Sequence, residues 1–317
     1  KQADAKEQLA RGFDEMPEVR EVLDTHLDIS QDPSLAVRSV YGQWFPWLTL
    51  LDRTWAEHRK DRIFPTNEQS HAYFDAAWNA YITFCQPYND VFNLLRDIYG
   101  HAAKRIGVHD GSTKWIRNPD EGLAEHLMAF YWWGNIKLED TLFVLFWQNA
   151  PNALRAYAIK FVGHALQQTK EAIPAEVISR LQGLWDNRFS QIKEAPQEHK
   201  KEISAFGWWF VSGKFDTTWS IGRLLEALSL NPKSEPAHLV IEHLVQTVKT
   251  HPAESVQALR KIAEGDREGW CIYGSREHIR QILQAGLQAP DARQEAEAAI
   301  HYLGSRGFLE YRDLPNQ

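Results

Sequence analysis

Cysteine is scarce in this sequence, and no part of it stays apolar for long. The 317 residues hold two cysteines, Cys85 and Cys271. They lie far apart and match neither a disulfide framework nor a zinc-ligand spacing, so a reducing, cytoplasmic environment is expected. Uncharged stretches such as TLFVLFWQNAPNAL (141–154) fall short of the roughly 20 residues that cross a bilayer, and they contain Gln, Asn and Pro. No membrane span is expected. Basic charge is not in excess either. With 35 Lys and Arg against 42 Asp and Glu the formal charge is −7, and the basic run HRKDR (58–62) is short. Both facts argue against a nucleic-acid partner tracked through its phosphates. Alternating runs of β-branched residues are missing too, so nothing predicts a sheet.

The signatures of common chemistries are also missing. There is no HExxH, no clustered Cys and His set, no GxSxG elbow and no GxxxxGK[ST] loop. SGKF (212–215) places Gly before Lys but lacks the rest of a phosphate loop. Thirteen histidines invite a search for acid–base or metal sites. Those that follow a glutamate, such as His58, His126, His243 and His278, point to a different helix face from that glutamate. EGDRE (264–268) is too short, and too neutralised by its arginine, for a calcium loop. No catalytic residue, cofactor or metal site is assigned. A composite His and carboxylate active site, assembled in a groove between helices, stays open as the alternative. The opening residues lack the apolar core of a signal peptide, the chain begins at Lys1 and its first methionine is Met16, so a portion of a longer polypeptide is expected.

The chain is rich, by contrast, in helical periodicity and large aromatics. Thirteen tryptophans and fifteen phenylalanines supply bulky anchors, each burying roughly 150–250 Å² when inside. HLVIEHLVQTVKT (238–250) sets Leu239, Ile241, Leu244, Val245 and Val248 largely on one side of a helix. Pro33, Pro119, Pro151, Pro174, Pro252 and Pro290 each precede a helical pattern, where the fixed φ and missing N–H suit the first turn. NPDE (118–121) reads as a capping box in which Asn118 accepts a first-turn amide and Glu121 reaches back. The pattern predicts helices of roughly 10–20 residues with short connections, which favours antiparallel neighbours.

Three segments are alike: DPSLAVRSVYG (32–42), APNALRAYAIKFVG (150–163) and APDARQEAEAAIHYLG (289–304) share a proline start, an arginine soon after, and small or apolar residues ending at glycine. HLVIEHL and HIRQILQ, starting at 238 and 278, also begin alike. These segments resemble the second helix of HEAT repeats, in which small residues permit close packing and the arginine bonds toward a neighbouring repeat. The expected fold is all-α, an irregular HEAT-like α-solenoid of antiparallel helix pairs. It covers 1–317 as a single elongated helical-repeat region, with 1–195 and 196–317 as candidate sub-arrays. An ordinary helical bundle with proline caps is the competing expectation.

Two stretches suggest a recognition surface. AFYWWGNIKLED (129–140) and AFGWWFVSGKFD (205–216) share an AF-x-WW run. Adjacent helical residues project about 100° apart, so Trp208 and Trp209 cannot form one flat platform. One is expected in the core and the other in a groove, while Gly134 and Gly213 supply turns and Asp140 and Asp216 cap the next helix in each case. EGDREGWCIYG (264–274) breaks the periodicity and gathers Asp266, Arg267, Glu268 and Trp270. It reads as an inter-repeat turn in which Asp266 or Glu268 orders an arginine and Trp270 plugs the seam, or as a binding loop. Candidate partner-binding residues are Trp208, Trp209, Asp266, Arg267, Glu268 and Trp270. The segment 205–230, with EGDREGW and LGSRGFLEYRDL (303–314), resembles the carboxy-terminal helical regions of large bacterial multidomain proteins, some of them defence-associated. That resemblance implies a bacterial sensing or scaffold role and carries over no catalytic residue. The leading expectation is a non-catalytic module whose partner is another protein or the missing part of its own chain.

Overall fold

The computed structural model describes residues 12–108 and 118–316, and every regular element among them is a helix. The chain divides into two compact units, Lys1–Ala150 and Pro151–Gln317. The sequence-based division at 195/196 therefore falls inside the second unit, beside the 3-10 turn Pro196–His199.

The first unit contains α1 (Pro17–His26), α2 (Leu35–Leu51), α3 (Arg53–Ile63), α4 (His71–Phe84), α5 (Asn89–Lys104), α6 (Pro119–Trp133) and α7 (Thr141–Asn149). A single residue separates α2 from α3: Asp52 ends one helix and caps the next, its carboxylate accepting from the Trp55 amide at 2.8 Å. Helices α2 and α4 pack so tightly that a Cβ on Gly42 would lie 1.9 Å from the carbonyl oxygen of Ala77. Only glycine permits that approach. The core is aromatic: Phe45 meets Phe64 edge-on at 5.2 Å, Trp78 meets Tyr99 at 5.1 Å, and Phe92 stacks on Phe130 at 4.0 Å.

The second unit runs through α8 (Asn152–Gln168), α9 (Ala175–Ile192), the short α10 (Lys200–Ala205) and α11 (Gly207–Val211), then α12 (Thr217–Leu230) and α13 (Ala237–Thr247). It closes with α14 (Pro252–Gly265), the short α15 (Trp270–Gly274), α16 (Arg276–Gln288) and α17 (Arg293–Ser305). Helices α10, α11 and α15 are shorter than the periodicity predicts. Val240, Ile241, Leu244 and Val248 of the 238–250 segment join a continuous apolar core with residues from α14, α16 and α17, while Leu239 and Val245 of the expected stripe are half-buried.

The proline and capping expectations hold in part. Pro119 and Pro252 occupy first-turn positions, Pro151 and Pro174 sit at N-caps, and Pro33 precedes the N-cap Ser34. Pro290 lies in the turn before α17. Asn118, Asp140 and Asp216 each accept from an amide of the helix they begin, and Gly134 ends α6 with φ 82°. The recurring arginines behave unequally. Arg38 is buried and donates to the carbonyls of Arg62 and Leu27, and Arg155 lies 3.4 Å from Glu202 of α10. Arg293 stays on its own helix, paired with Glu297.

Candidate functional site

A groove of about 620 Å³ opens in the first unit between α2 and the α4–α5 connection. Its origin is local. Helix α2 is apolar around most of its circumference: Tyr41, Gly42, Phe45 and Leu48 face the core, while Val40, Trp44, Trp47 and Leu50 succeed one another, a turn apart, along the opposite side. That second stripe has no covering element among the described residues, and Trp44, Trp47, Leu50, Phe84 and Tyr88 are 50–62% exposed. A helix apolar all round needs partners on both faces. Here one face lacks them.

The far wall is the turn Cys85–Tyr88 and the start of α5. This turn is pinned from below. Burial pushes the Cys85 thiol up to about 12, so it stays protonated and donates to the Gln43 carbonyl at 3.1 Å, tying the turn to α2. The Cys85 carbonyl can only accept, so His126 Nε2 donates to it at 3.0 Å. His126 Nδ1 lies 2.6 Å from the Tyr99 hydroxyl, which in turn is 3.0 Å from that of Tyr81. Both phenols are buried, and burial raises their pKa, so both stay protonated in the hydrogen-bond chain that holds the groove wall. Two exposed charges, Arg53 and Asp90, line the groove and form no ion pair among the described residues. No described histidine lines it.

A second recess, of about 440 Å³, lies in the second unit at the sequence-predicted loop and brings together Asp266, Arg267, Glu268 and Trp270 with Lys233, Glu235 and Cys271. Asp266 does not order an arginine through its carboxylate. Its two oxygens accept from the amides of Gly269 and Ile272 at 3.1 and 3.0 Å, capping the short α15. The arginine present is Arg306, which donates to the backbone carbonyls of Ala263, Asp266 and Arg267 at 2.7–2.8 Å. Trp270 plugs no seam: it is 73% exposed. The Cys271 thiol is pushed up to about 11, chiefly by burial and then by the Asp266 charge.

Trp208 and Trp209 line neither recess. Trp209 is core, with its indole N–H donating to the Ile159 carbonyl at 2.9 Å and its ring stacked on Phe215. Trp208 is half-buried against Lys160 and His164, and its Cβ closes on α8 where only Gly163 leaves room. Burial and the Lys160 charge hold His164 below the ordinary imidazole value. Trp208 is therefore not the groove residue expected from the sequence, and in the related 129–140 segment Trp132 is half-buried and Trp133 exposed, so neither indole of that pair is core.

His and carboxylate do converge at Glu202, in the second unit. Arg188 Nε donates to one carboxylate oxygen at 2.7 Å, and His199 Nδ1 to the other at 2.7 Å. Arg155 stands 3.4 Å away, and Asn152 accepts from the Glu202 amide at 3.1 Å. Burial opposes the charged form, but the hydrogen bonds from His199 and Arg188 outweigh it and hold Glu202 below the ordinary glutamate range. Glu202 and Arg188 are fully enclosed and their groups mutually engaged, so this cluster fixes α9 to α10 and offers no face to a substrate. Among the described residues no three His, Cys, Asp or Glu side chains are placed to hold a metal ion, and no helix is long and apolar enough to cross a membrane.

The groove on α2 was not singled out by sequence reasoning. Its signal stands in YGQWFPWLTLL (41–51), where Gln43 is the one polar residue on the exposed side. No family model matches the chain, and no curated protein or solved structure is similar to it.

Proposed function

We propose that the chain is a non-catalytic helical module that binds a protein partner, through the groove between α2 and the α4–α5 turn. The carrying observation is the contiguous set Trp44, Trp47, Leu50, Phe84 and Tyr88, half or more exposed around one recess. Soluble domains seldom leave such patches uncovered without an interaction to cover them, and tryptophan and tyrosine are the residues that anchor protein interfaces. Recess walls without a described histidine, and a neutral thiol, favour recognition over turnover. An irregular HEAT-like arrangement of antiparallel pairs is the architecture we infer, supported by Arg38 and Arg155 reaching neighbouring helices from matching positions and by close approach at Gly42 and Gly163. The loop with Arg267, Glu268 and the exposed Trp270 is a second, smaller contact surface on this reading.

Site-specific photo-crosslinking tests the proposal. A benzophenone amino acid at position 47 should give a discrete protein adduct in cells, whereas the same group at Gln281, on the exposed side of α16, should give none. Absence of an adduct from positions 44, 47 and 84 alike would overturn it.

A further inference from the structure

Taking the groove as a protein-binding surface, we infer that its occupant is a second copy of this chain, related by a two-fold axis, with the Val40–Trp44–Trp47–Leu50 stripe of one α2 laid against that of the other. Charge is the first reason. The groove carries one cation, Arg53, and one anion, Asp90, each without an ion pair among the described residues. In a two-fold interface each contact occurs twice with the roles exchanged, so on this inference a pairing of Arg53 with Asp90 of the partner subunit is matched by one of Asp90 with Arg53 of the partner subunit. A surface with one charge of each sign around an apolar centre is complementary to itself. It has no excess of either sign to select a uniformly acidic or basic partner, and Asp90 on a chain of charge −7 makes it a poor match for an anionic bilayer.

Area is the second reason. With aromatic side chains covering roughly 150–250 Å² each, the exposed halves of Trp44, Trp47, Phe84 and Tyr88, with Val40 and Leu50, amount to roughly 500–700 Å² per copy. Two copies would then bury roughly 1,000–1,400 Å², which reaches the lower part of the range for specific interfaces, about 1,200–2,000 Å². Interfaces at that lower end are typical of transient, reversible association. The pinned α4–α5 turn adds preorganisation, since the wall is held by the Cys85, His126 and Tyr99 contacts before any partner arrives.

Sedimentation velocity on the full chain, from low to high micromolar concentration, tests this. A reversible monomer–dimer equilibrium is expected. Trp47→Ser, Arg53→Asp and Asp90→Arg should each weaken it by about tenfold or more, with circular dichroism unchanged because all three positions are exposed. The Arg53→Asp/Asp90→Arg double variant should regain most of the lost affinity, because the swapped charges pair again across the axis. A monomer at every concentration overturns the inference. So does a dimer indifferent to Trp47→Ser, or a double variant as weak as the single ones. Crosslinking at position 47 separates this failure from that of the broader reading: a monomer that still forms a discrete adduct with a different protein sinks only the self-association. A monomer without any adduct sinks both.

Discussion

Replacing Glu202 with alanine would take its carboxylate away from the Arg188 guanidinium in a site without solvent. Both residues are fully enclosed, and the carboxylate is the partner of Arg188 Nε at 2.7 Å and Nη2 at 3.3 Å. Gln191 accepts from Arg188 Nη1 at 2.6 Å and would remain, but it carries no charge. His199 loses its acceptor and Arg155 its counter-charge at the same time. Removing one member of a buried ion pair costs about 3–5 kcal/mol, because the charge left behind loses its hydrogen-bonded carboxylate in a site closed to water. Replacing Glu202 and Arg188 together by apolar residues should cost much less than the two single losses added, since no charge of that pair is then orphaned. The pH dependence has a definite sign. Glu202 is held below its ordinary value of 4.5, so the folded state binds its proton more weakly than the unfolded chain does. Its contribution is complete above about 4.5 and is lost as the pH falls through the folded value. The stability difference between the parent protein and Glu202→Ala should therefore be flat at neutral pH and shrink under acid. Urea denaturation across pH measures it, and hydrogen exchange of α9 and α10 assigns the loss to the second unit. A difference below about 1 kcal/mol at neutral pH would refute the reading, because a fully enclosed pair cannot lose one partner so cheaply.

Two further perturbations probe packing. Trp209→Ala should cost about 3–5 kcal/mol, as large buried aromatic truncations do, and Trp208→Ala about 1–2 kcal/mol, as expected for a half-buried site. In Trp208→Ala the His164 imidazole, freed from part of its burial, should titrate closer to 6.5 by NMR; equal losses from both substitutions would show that the two indoles share one environment. Gly42→Ala should destabilise by about 1–3 kcal/mol, since its methyl group meets α4 backbone that cannot rotate away. Gly100→Ala, in open space on α5, should stabilise by roughly 0.5–1 kcal/mol. Thermal or urea unfolding ranks the pair, and the reverse order would refute the close approach of α2 and α4.

The all-helical class was legible because apolar period and cap chemistry are local properties. Asn118, Asp140 and Asp216 could be read as caps from a few neighbouring residues, and each does cap its helix. The loop at Asp266 was legible as a break but not in its wiring. A sequence cannot say that Arg306, some forty residues on, will bind backbone carbonyls there in place of the carboxylate. The same limit applies to the tryptophans. An indole's period fixes its direction from its own helix, but its exposure is set by what other helices cover. Trp209 finds Trp185, Phe206 and Phe215 around it, while Trp44 and Trp47, on an equally apolar helix, are left half or more exposed. The sequence of α2 already contained the contradiction that marks the groove, an apolar stretch at 41–51 with little polar side chain to offer solvent. Resolving it required knowing that α4 covers only one flank. Gly42 lets α4 lie close on the core side of α2, while Trp44 and Trp47 on the opposite side stay half or more exposed; which side a neighbouring helix covers is a property of the packing, not of α2 alone.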